Sequence, residues 1–187
     1  MAATFSFETT EIDGLLVLTM KEGVDDRGVV REFFRTSAWA DAGLPELGPW
    51  RQLNVTESKR GAIRGLHGEA MTKLVAVVAG EGFGVYVDTR PESPTFGAIV
   101  TVPLVSGRQV LVPKGVCNGY QSVTDTQYVY CFDDEWRPGM SGIAVNPLDP
   151  ALGIEWPVPV DVHDRSQVSE KDANLPSFAE ATQTAAK

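Results

Sequence analysis

The sequence predicts an all-β fold, a jelly-roll barrel or sandwich with short helices, as a single domain over residues 1–187. Short apolar and β-branched segments recur along the chain with Gly, Pro, Asp and Asn between them, which indicates consecutive short strands. A run of strands at such spacing is typical of sandwiches and barrels. The predicted strands cover residues 15–19, 29–34, 52–56, 62–67, two segments within 73–88, 97–103, 109–112, 118–123 and 127–132.

Helical signals are confined to residues 36–43, where Thr36 or Ser37 can cap the start of a helix and Gly43 can end it. The segment 178–187 is mostly small and polar, so we expect a frayed tail there. A lectin-like sandwich would give the same pattern of strands, and the fold class alone therefore does not select a function.

Composition narrows the range of partners. The formal net charge of −9 argues against nucleic acid, because binding to a duplex draws on an excess of Lys and Arg. A phosphate-bearing ligand would need a local basic cluster. The start of the chain lacks the segments of a secretory signal, and apolar runs such as residues 74–79 fall far short of the ~18–20 residues that span a bilayer. We expect a soluble, cytoplasmic protein with no membrane partner.

The sequence offers few metal ligands. Its two histidines, His67 and His163, lie in different contexts, whereas barrels of this type with a catalytic metal use several imidazoles and a carboxylate. Cys117 and Cys131 have no close Cys or His partner for a zinc site and are most simply reduced thiols in the core. We predict no metal and no cofactor.

The predicted strand that ends at His67 is the first candidate for a site. Alternation along a strand places Ile63, Gly65 and His67 on one face and Arg64 on the opposite face. Because glycine lacks a side chain, Gly65 leaves space for a ligand beside the imidazole, although a glycine here can also mark a bulge.

Four side chains, each more typical of a core or surface residue when taken singly, together fit one type of chemistry. Removing a proton from a carbon next to a ketone requires a base with a pKa near neutrality, for which a histidine such as His67 is suited. Asp172 could orient the imidazole, and Lys73 could stabilise the enolate oxygen. Tyr130 could deliver a proton from the opposite face and so complete an inversion.

These residues belong to a longer series of motifs whose order and spacing are specific. The motifs are DRG at 26–28 followed by Glu32, QLN at 52–54, GAIRGLH at 61–67, KLV at 73–75, DTR at 88–90 with SPTFG at 93–97, DPALGIEWP at 149–157 and SEKD at 169–172. Over residues 14–178 the chain thereby resembles the dTDP-4-dehydrorhamnose 3,5-epimerases, which are dimeric, metal-free jelly rolls of the cupin type. The resemblance implies a homodimer that epimerises a dTDP-4-keto-6-deoxyhexose.

The resemblance also implies roles for individual residues. His67 corresponds to the catalytic base, Asp172 to its partner, Tyr130 to the acid and Lys73 to the group that stabilises the enolate. Trp136 corresponds to an aromatic ring that stacks on thymine. The remaining residues implied in sugar-nucleotide binding are Arg27, Glu32, Gln52, Asn54, Arg64 and Lys171, and the basic ones among them are candidates for the local basic cluster.

Two features depart from the family pattern, and both touch the predicted sugar pocket. Asn118 stands where the family commonly has His, so this side chain can form hydrogen bonds but cannot carry a charge. The loop from His67 to Lys73 is several residues shorter than in the family. The alternatives are therefore a related enzyme that inverts one carbon or shifts the keto group, and a non-catalytic sugar-binding jelly roll. A metal-dependent cupin enzyme is a more distant alternative.

Overall fold

Short strands make up most of the protein, which is described over residues 4–46 and 48–185 of a computed structural model. The strands are β1 (Ser6–Thr9), β2 (Leu16–Thr19), β3 (Lys21–Asp25), β4 (Gly28–Glu32), β5 (Gln52–Ser58), β6 (Ile63–Glu69), β7 (Lys73–Ala79), β8 (Gly82–Asp88), β9 (Ile99–Leu104), β10 (Arg108–Val112), β11 (Val116–Ser122), β12 (Thr126–Phe132) and β13 (Gly142–Ala144). The helices are α1 (Thr36–Asp41), α2 (Glu170–Ala173) and α3 (Phe178–Ala185), with a 3-10 turn at Pro150–Leu152.

The strands form two large antiparallel sheets. One has the order β1-β2-β10-β7-β12-β5 and the other the order β13-β6-β11-β8-β9, while β3 and β4 form a separate hairpin. From β5 onward the chain passes from one sheet to the other at nearly every step, and the β8–β9 hairpin is the exception. This alternation between two packed sheets confirms the predicted jelly roll.

The main core lies between the two sheets. Val75 and Val77 of β7 meet Tyr86 of β8 and Tyr120 of β11 there, and all four are almost fully buried. Val75 and Val77 are two residues apart on β7 and therefore point to the same face of the sheet. Burial of one such valine contributes about 1.5–3 kcal/mol, so the inner faces hold the sheets together.

The outer faces are covered as well. Trp39 of α1 packs over the six-stranded sheet against Leu74 and Leu111, and its indole donates a hydrogen bond to the carbonyl oxygen of Pro45 at 2.9 Å. On the five-stranded sheet, Leu152 and Ala181 pack against the strand residues of a third apolar cluster. The C-terminal segment is therefore part of the fold and holds α2 beside β6, which matters for the site.

The frayed tail predicted for residues 178–187 is wrong up to residue 185, where α3 forms; residues 186–187 lie outside the described part. Ser177 and Glu180 cap α3 reciprocally, since the Ser177 amide and hydroxyl donate to the Glu180 carboxylate at 2.9 and 2.7 Å. Phe178 packs on Phe96 with ring centroids 5.6 Å apart.

The helix predicted at residues 36–43 is confirmed as α1, but neither Thr36 nor Ser37 caps it. Arg35 is the N-cap residue and makes no side-chain capping hydrogen bond. Gly43 follows the helix with a positive φ of 69°, as predicted for its end. Among the described residues, no helix has the length and apolar character needed to cross a membrane.

Candidate active site

A cavity between the two sheets collects most of the predicted catalytic residues. His67 comes from β6, Asn118 from β11, Lys73 from β7 and Tyr130 from β12, so both sheets contribute to its wall. The full lining is Arg64, Gly65, His67, Glu69, Lys73, Asn118, Gly119, Tyr120, Tyr128, Tyr130 and Phe132. Tyr128, Tyr130 and Phe132 of β12 thus share the face that points into the cavity.

An irregularity in β6 changes which residues face the cavity. The register between β6 and β11 shifts between Asn118 and Tyr120, next to Gly65, whose φ is +107°. A Cβ atom at Gly65 would lie 2.6 Å from the carbonyl oxygen of Asn118, so only glycine fits. Strict alternation predicted Arg64 on the face opposite His67. That prediction is wrong, because the bulge turns both residues toward the cavity.

Asp172 holds the imidazole of His67. The Nε2 atom of His67 lies 2.9 Å from Oδ1 of Asp172, and the two side chains are 35% and 9% exposed. Asp172 lies in α2, and its backbone amide donates a hydrogen bond to the hydroxyl of Ser169 at 3.1 Å. Burial raises the pKa of Asp172, but the hydrogen bond and charge of His67 outweigh it and hold that pKa below its usual value. The carboxylate is therefore ionised at neutral pH and stabilises a charged imidazole.

Lys73 is the buried cation of the cavity, with a side chain only 5% exposed. Its ammonium donates to the carbonyl oxygen of His67 at 3.0 Å and to Oδ1 of Asn118 at 2.5 Å. It also forms an ion pair with the carboxylate of Glu69. Burial raises the pKa of Glu69, but the charge and hydrogen bond of Lys73 more than compensate, so the pKa lies below its usual value.

Sequence reasoning missed Glu69 because the predicted strand ended at His67. In the structure β6 continues to Glu69, two residues beyond the histidine and on the same face. Extending the predicted strand by two residues would have placed Glu69 on the same face as His67.

Aromatic side chains form one wall of the cavity. The hydroxyl of Tyr130 lies 2.9 Å from Oγ1 of Thr56, and its ring meets that of Phe132 edge to face at 5.2 Å. Tyr120 and Tyr128 stack with centroids 4.2 Å apart. Burial raises the pKa of Tyr128 well above its usual value, so this phenol stays protonated.

Three predicted binding residues lie together beside this wall, on and next to the edge strand β5. Asn54 pairs with Tyr130 in the β5–β12 ladder and accepts a hydrogen bond from Gln52 at 3.2 Å. Gln52 in turn accepts one from the backbone amide of Trp136 at 2.7 Å. The Trp136 ring is exposed, as a stacking surface for a ligand must be.

The structure does not bring Arg27, Glu32 or Lys171 to the cavity of the same chain. Arg27 is on the turn of the β3–β4 hairpin, has an 89% exposed side chain and pairs with Asp25. Glu32 is also on this hairpin and pairs with Arg35, while Lys171 is exposed on α2. The predicted basic cluster is thus incomplete within one chain, where Arg64 and Lys73 are the cationic residues of the cavity lining.

The remaining candidates for metal or thiol chemistry lie elsewhere. In the described part of the chain, no three His, Cys, Asp or Glu side chains are grouped so as to hold a metal ion. His163 is exposed in a loop. Cys117 and Cys131 are free and buried, which confirms their predicted placement in the core, and burial raises the pKa of these thiols to about 12 and about 11.

The sequence matches known proteins over nearly its whole length. The family model for dTDP-4-dehydrorhamnose 3,5-epimerase matches residues 9–180. The chain is 34% identical to the dTDP-4-dehydrorhamnose 3,5-epimerase of Methanothermobacter thermautotrophicus, covering 92% of this chain and 94% of that protein. It is 37% identical to a dTDP-4-dehydro-6-deoxyglucose 3-epimerase of Streptomyces bikiniensis, covering 84% and 81%.

Solved structures agree with this similarity. A 4-keto-6-deoxy sugar epimerase from the novobiocin gene cluster of Streptomyces spheroides superposes with a TM-score of 0.88, at 29% identity over 99% of this chain and 93% of that one. The dTDP-6-deoxy-D-glucose-3,5-epimerase of Legionella pneumophila, in complex with dTDP-4-keto-L-rhamnose, superposes with a TM-score of 0.82, at 34% identity over 94% of each chain. The predicted cupin-type fold and epimerase family are confirmed, and the chain belongs to the dTDP-4-dehydrorhamnose 3,5-epimerase family.

Proposed function

We propose that this protein epimerises a dTDP-4-keto-6-deoxyhexose by removing a proton from a carbon next to the 4-keto group. One observation carries the proposal, namely that the His67–Asp172 pair borders a cavity that Lys73 and Tyr130 also line. A base, a cation and a phenol are the groups that such an inversion needs.

In the proposed first step His67 takes the proton. Its Nε2 atom is engaged by Asp172, which leaves Nδ1 to act as the base. The ionised Asp172 stabilises the imidazolium that forms, and the resulting enolate oxygen carries the negative charge that Lys73 offsets. The sugar is neither oxidised nor reduced, so the proposal includes no cofactor.

In the second step Tyr130 returns a proton to the opposite face of the same carbon. It stands on β12, across the cavity from β6, and Thr56 orients its hydroxyl at 2.9 Å. Delivery from this side inverts the configuration, whereas return of the proton from His67 restores the starting sugar.

The nucleotide end of the substrate is proposed to extend from the cavity along β5. Trp136 stacks on thymine there, Gln52 and Asn54 provide hydrogen-bonding groups, and Asn118 contacts the sugar. Arg64 offsets the charge of the diphosphate together with Arg27 and Lys171. Glu32 is proposed to bind the substrate from the same hairpin as Arg27.

We further propose a homodimer, because Arg27 and Glu32 do not reach the cavity of their own chain. Their hairpin exposes apolar side chains, Val24, Val29 and Val30, and the edge strand β5 exposes Leu53 and Val55. An unpaired edge and an apolar hairpin are surfaces that association buries. The hairpin of one subunit is proposed to complete the site of the other.

Inversion at both C3 and C5 is the leading proposal, and inversion at C3 alone is the second candidate. The second is supported by the 37% identity to a 3-epimerase and by the neutral Asn118 in the sugar pocket. The test is incubation of the protein with dTDP-4-keto-6-deoxyglucose in deuterated water, followed by NMR of the product.

Deuterium and inversion at C3 and C5 are the result expected of a 3,5-epimerase, and deuterium with inversion at C3 alone that of a 3-epimerase. A displaced keto group would identify a ketoisomerase. Tight binding without any exchange would contradict the proposal and favour a non-catalytic sugar-binding protein.

A further inference from the structure

Glu69 is a second carboxylate in the cavity, and the steps proposed above do not use it. It lies two residues after His67 on β6, and its side chain is largely buried. Its carboxylate pairs with the ammonium of Lys73, four residues further along the chain. Burial of a carboxylate costs free energy unless a charged partner compensates, so Glu69 and Lys73 stabilise each other in the cavity.

Three groups surround the ammonium of Lys73. It donates hydrogen bonds to the carbonyl oxygen of His67 and to Oδ1 of Asn118, and it forms an ion pair with the carboxylate of Glu69. An enolate oxygen that approaches the ammonium must therefore displace one of these three groups. The carbonyl of His67 is fixed in the strand and Glu69 carries a full opposite charge, so the neutral amide of Asn118 is the group that can leave.

We propose that Glu69 is a positioning residue that anchors the Lys73 ammonium, while Asn118 is the acceptor that the substrate's 4-keto oxygen replaces. The inference rests on the proposed epimerase function. Glu69 holds the ammonium in place and directed at the ketone, and the amide of Asn118 is released to contact the sugar. Glu69 itself transfers no proton in this scheme.

The other ionisable side chains that line the cavity are Arg64, His67, Tyr120, Tyr128 and Tyr130. Glu69 differs from all of them because it is the carboxylate in direct contact with Lys73.

The test compares Glu69→Gln with a matched control, Glu92→Gln, which removes the same charge from an exposed residue that does not line the cavity. The first readout needs no substrate. It is the ¹H–¹⁵N NMR signal of the Lys73 ammonium, which is assigned by its absence in Lys73→Met. The chain has six lysines, so the spectrum contains few ammonium signals. A buried ammonium held by acceptors exchanges its protons slowly, so we expect this signal in the wild type and in Glu92→Gln and its loss in Glu69→Gln.

The second readout is solvent deuterium exchange into the keto sugar. In Glu69→Gln we expect kcat to fall by about 10- to 100-fold with KM little changed, since a misplaced group costs rate rather than binding. Glu69→Asp keeps the charge and should recover part of kcat.

The outcomes separate this inference from the proposed function. An active wild type together with an unchanged Lys73 signal in Glu69→Gln would overturn the inference and leave the epimerase proposal intact. A wild type that catalyses no exchange would overturn the proposed function, and the role of Glu69 in catalysis with it. A variant Glu69→Gln with lost ammonium signal but wild-type kcat would also overturn the inference.

Discussion

Opposite charges surround the imidazole of His67 at short range. Asp172 lies 2.9 Å from it, and the Glu69–Lys73 pair lines the same cavity. Each carboxylate has its own partner, because Asp172 contacts the imidazole and Glu69 contacts the ammonium. In the proposed mechanism the charges formed on proton transfer are thereby offset locally, without the surplus of positive charge that the protein lacks as a whole.

Tyr130 gives a prediction that separates inversion from proton exchange. Tyr130→Phe keeps the ring and its packing against Phe132, so the fold should tolerate it. His67 can still form the enolate and return a proton to the original face. Exchange into deuterated water should therefore persist while inverted product falls by about 100-fold or more. The ratio of exchanged substrate to inverted product is measured by NMR, and an unchanged ratio would show that another group donates the proton.

At the level of residues, the sequence was sufficient to predict side chains at regular strand positions. His67, Lys73 and Tyr130 occupy such positions in β6, β7 and β12 and were predicted together. Arg64 was placed on the wrong face, because a local shift in register cannot be read from alternation alone. The pairing of Glu69 with Lys73 depends on how far β6 extends, which its neighbouring strands decide.

The elements missed in the sequence include two exposed strands and two short helices. β1 is fully exposed and β3 nearly so, which removes the alternating pattern that identifies a strand. α2 has four residues and begins at a Ser169 cap, so its sequence is too short for a helical period. The helix α3 was overlooked although Ser177 and Glu180 have the spacing of a capping box.

The bulge in β6 gives a prediction at the level of the element. In Gly65→Ala the new Cβ atom would meet the Asn118 carbonyl at 2.6 Å, in a backbone conformation with φ of +107°. We expect a loss of about 1–3 kcal/mol in the free energy of unfolding and a larger loss of exchange activity, because Arg64 and His67 would move. The matched control is Gly23→Ala on β3, where the added Cβ atom would meet no neighbouring atom within 4 Å. Equal effects of the two substitutions on activity would contradict the role of the bulge.

At the scale of the whole molecule, one chain supplies a deep cavity but not the complete set of predicted binding residues. The hairpin that carries Arg27 forms a two-stranded sheet of its own and exposes Val30, which is 77% accessible. No feature of the sequence distinguished residues that bind within a chain from residues that would bind across an interface. The proposed homodimer explains this separation.

Mixed dimers test whether two chains share a site. Arg27→Ala and His67→Ala should each be poorly active when assayed well below KM, but in a mixed dimer both lesions would fall in the same site and leave the other site intact. Co-refolded in equal amounts, the two variants should recover about a quarter of the wild-type exchange rate, since half of the dimers are mixed and each has one complete site. A mixture of His67→Ala with Asp172→Asn is the control. Each of these lesions affects the site of the chain that carries it, so a mixed dimer has no complete site. No recovery in the first mixture, with dimers present by light scattering, would contradict a shared site.

The central claim is that His67 removes the proton, and solvent deuterium exchange measures that step directly. The protein has two histidines, so His163→Ala, in an exposed loop, is a natural control for His67→Ala. Both variants are incubated with dTDP-4-keto-6-deoxyglucose in deuterated water, and the signals of the protons next to the ketone are followed by NMR. We expect exchange in His67→Ala to fall by about 100- to 10,000-fold and exchange in His163→Ala to match the wild type. Wild-type exchange by a folded His67→Ala protein would contradict the account.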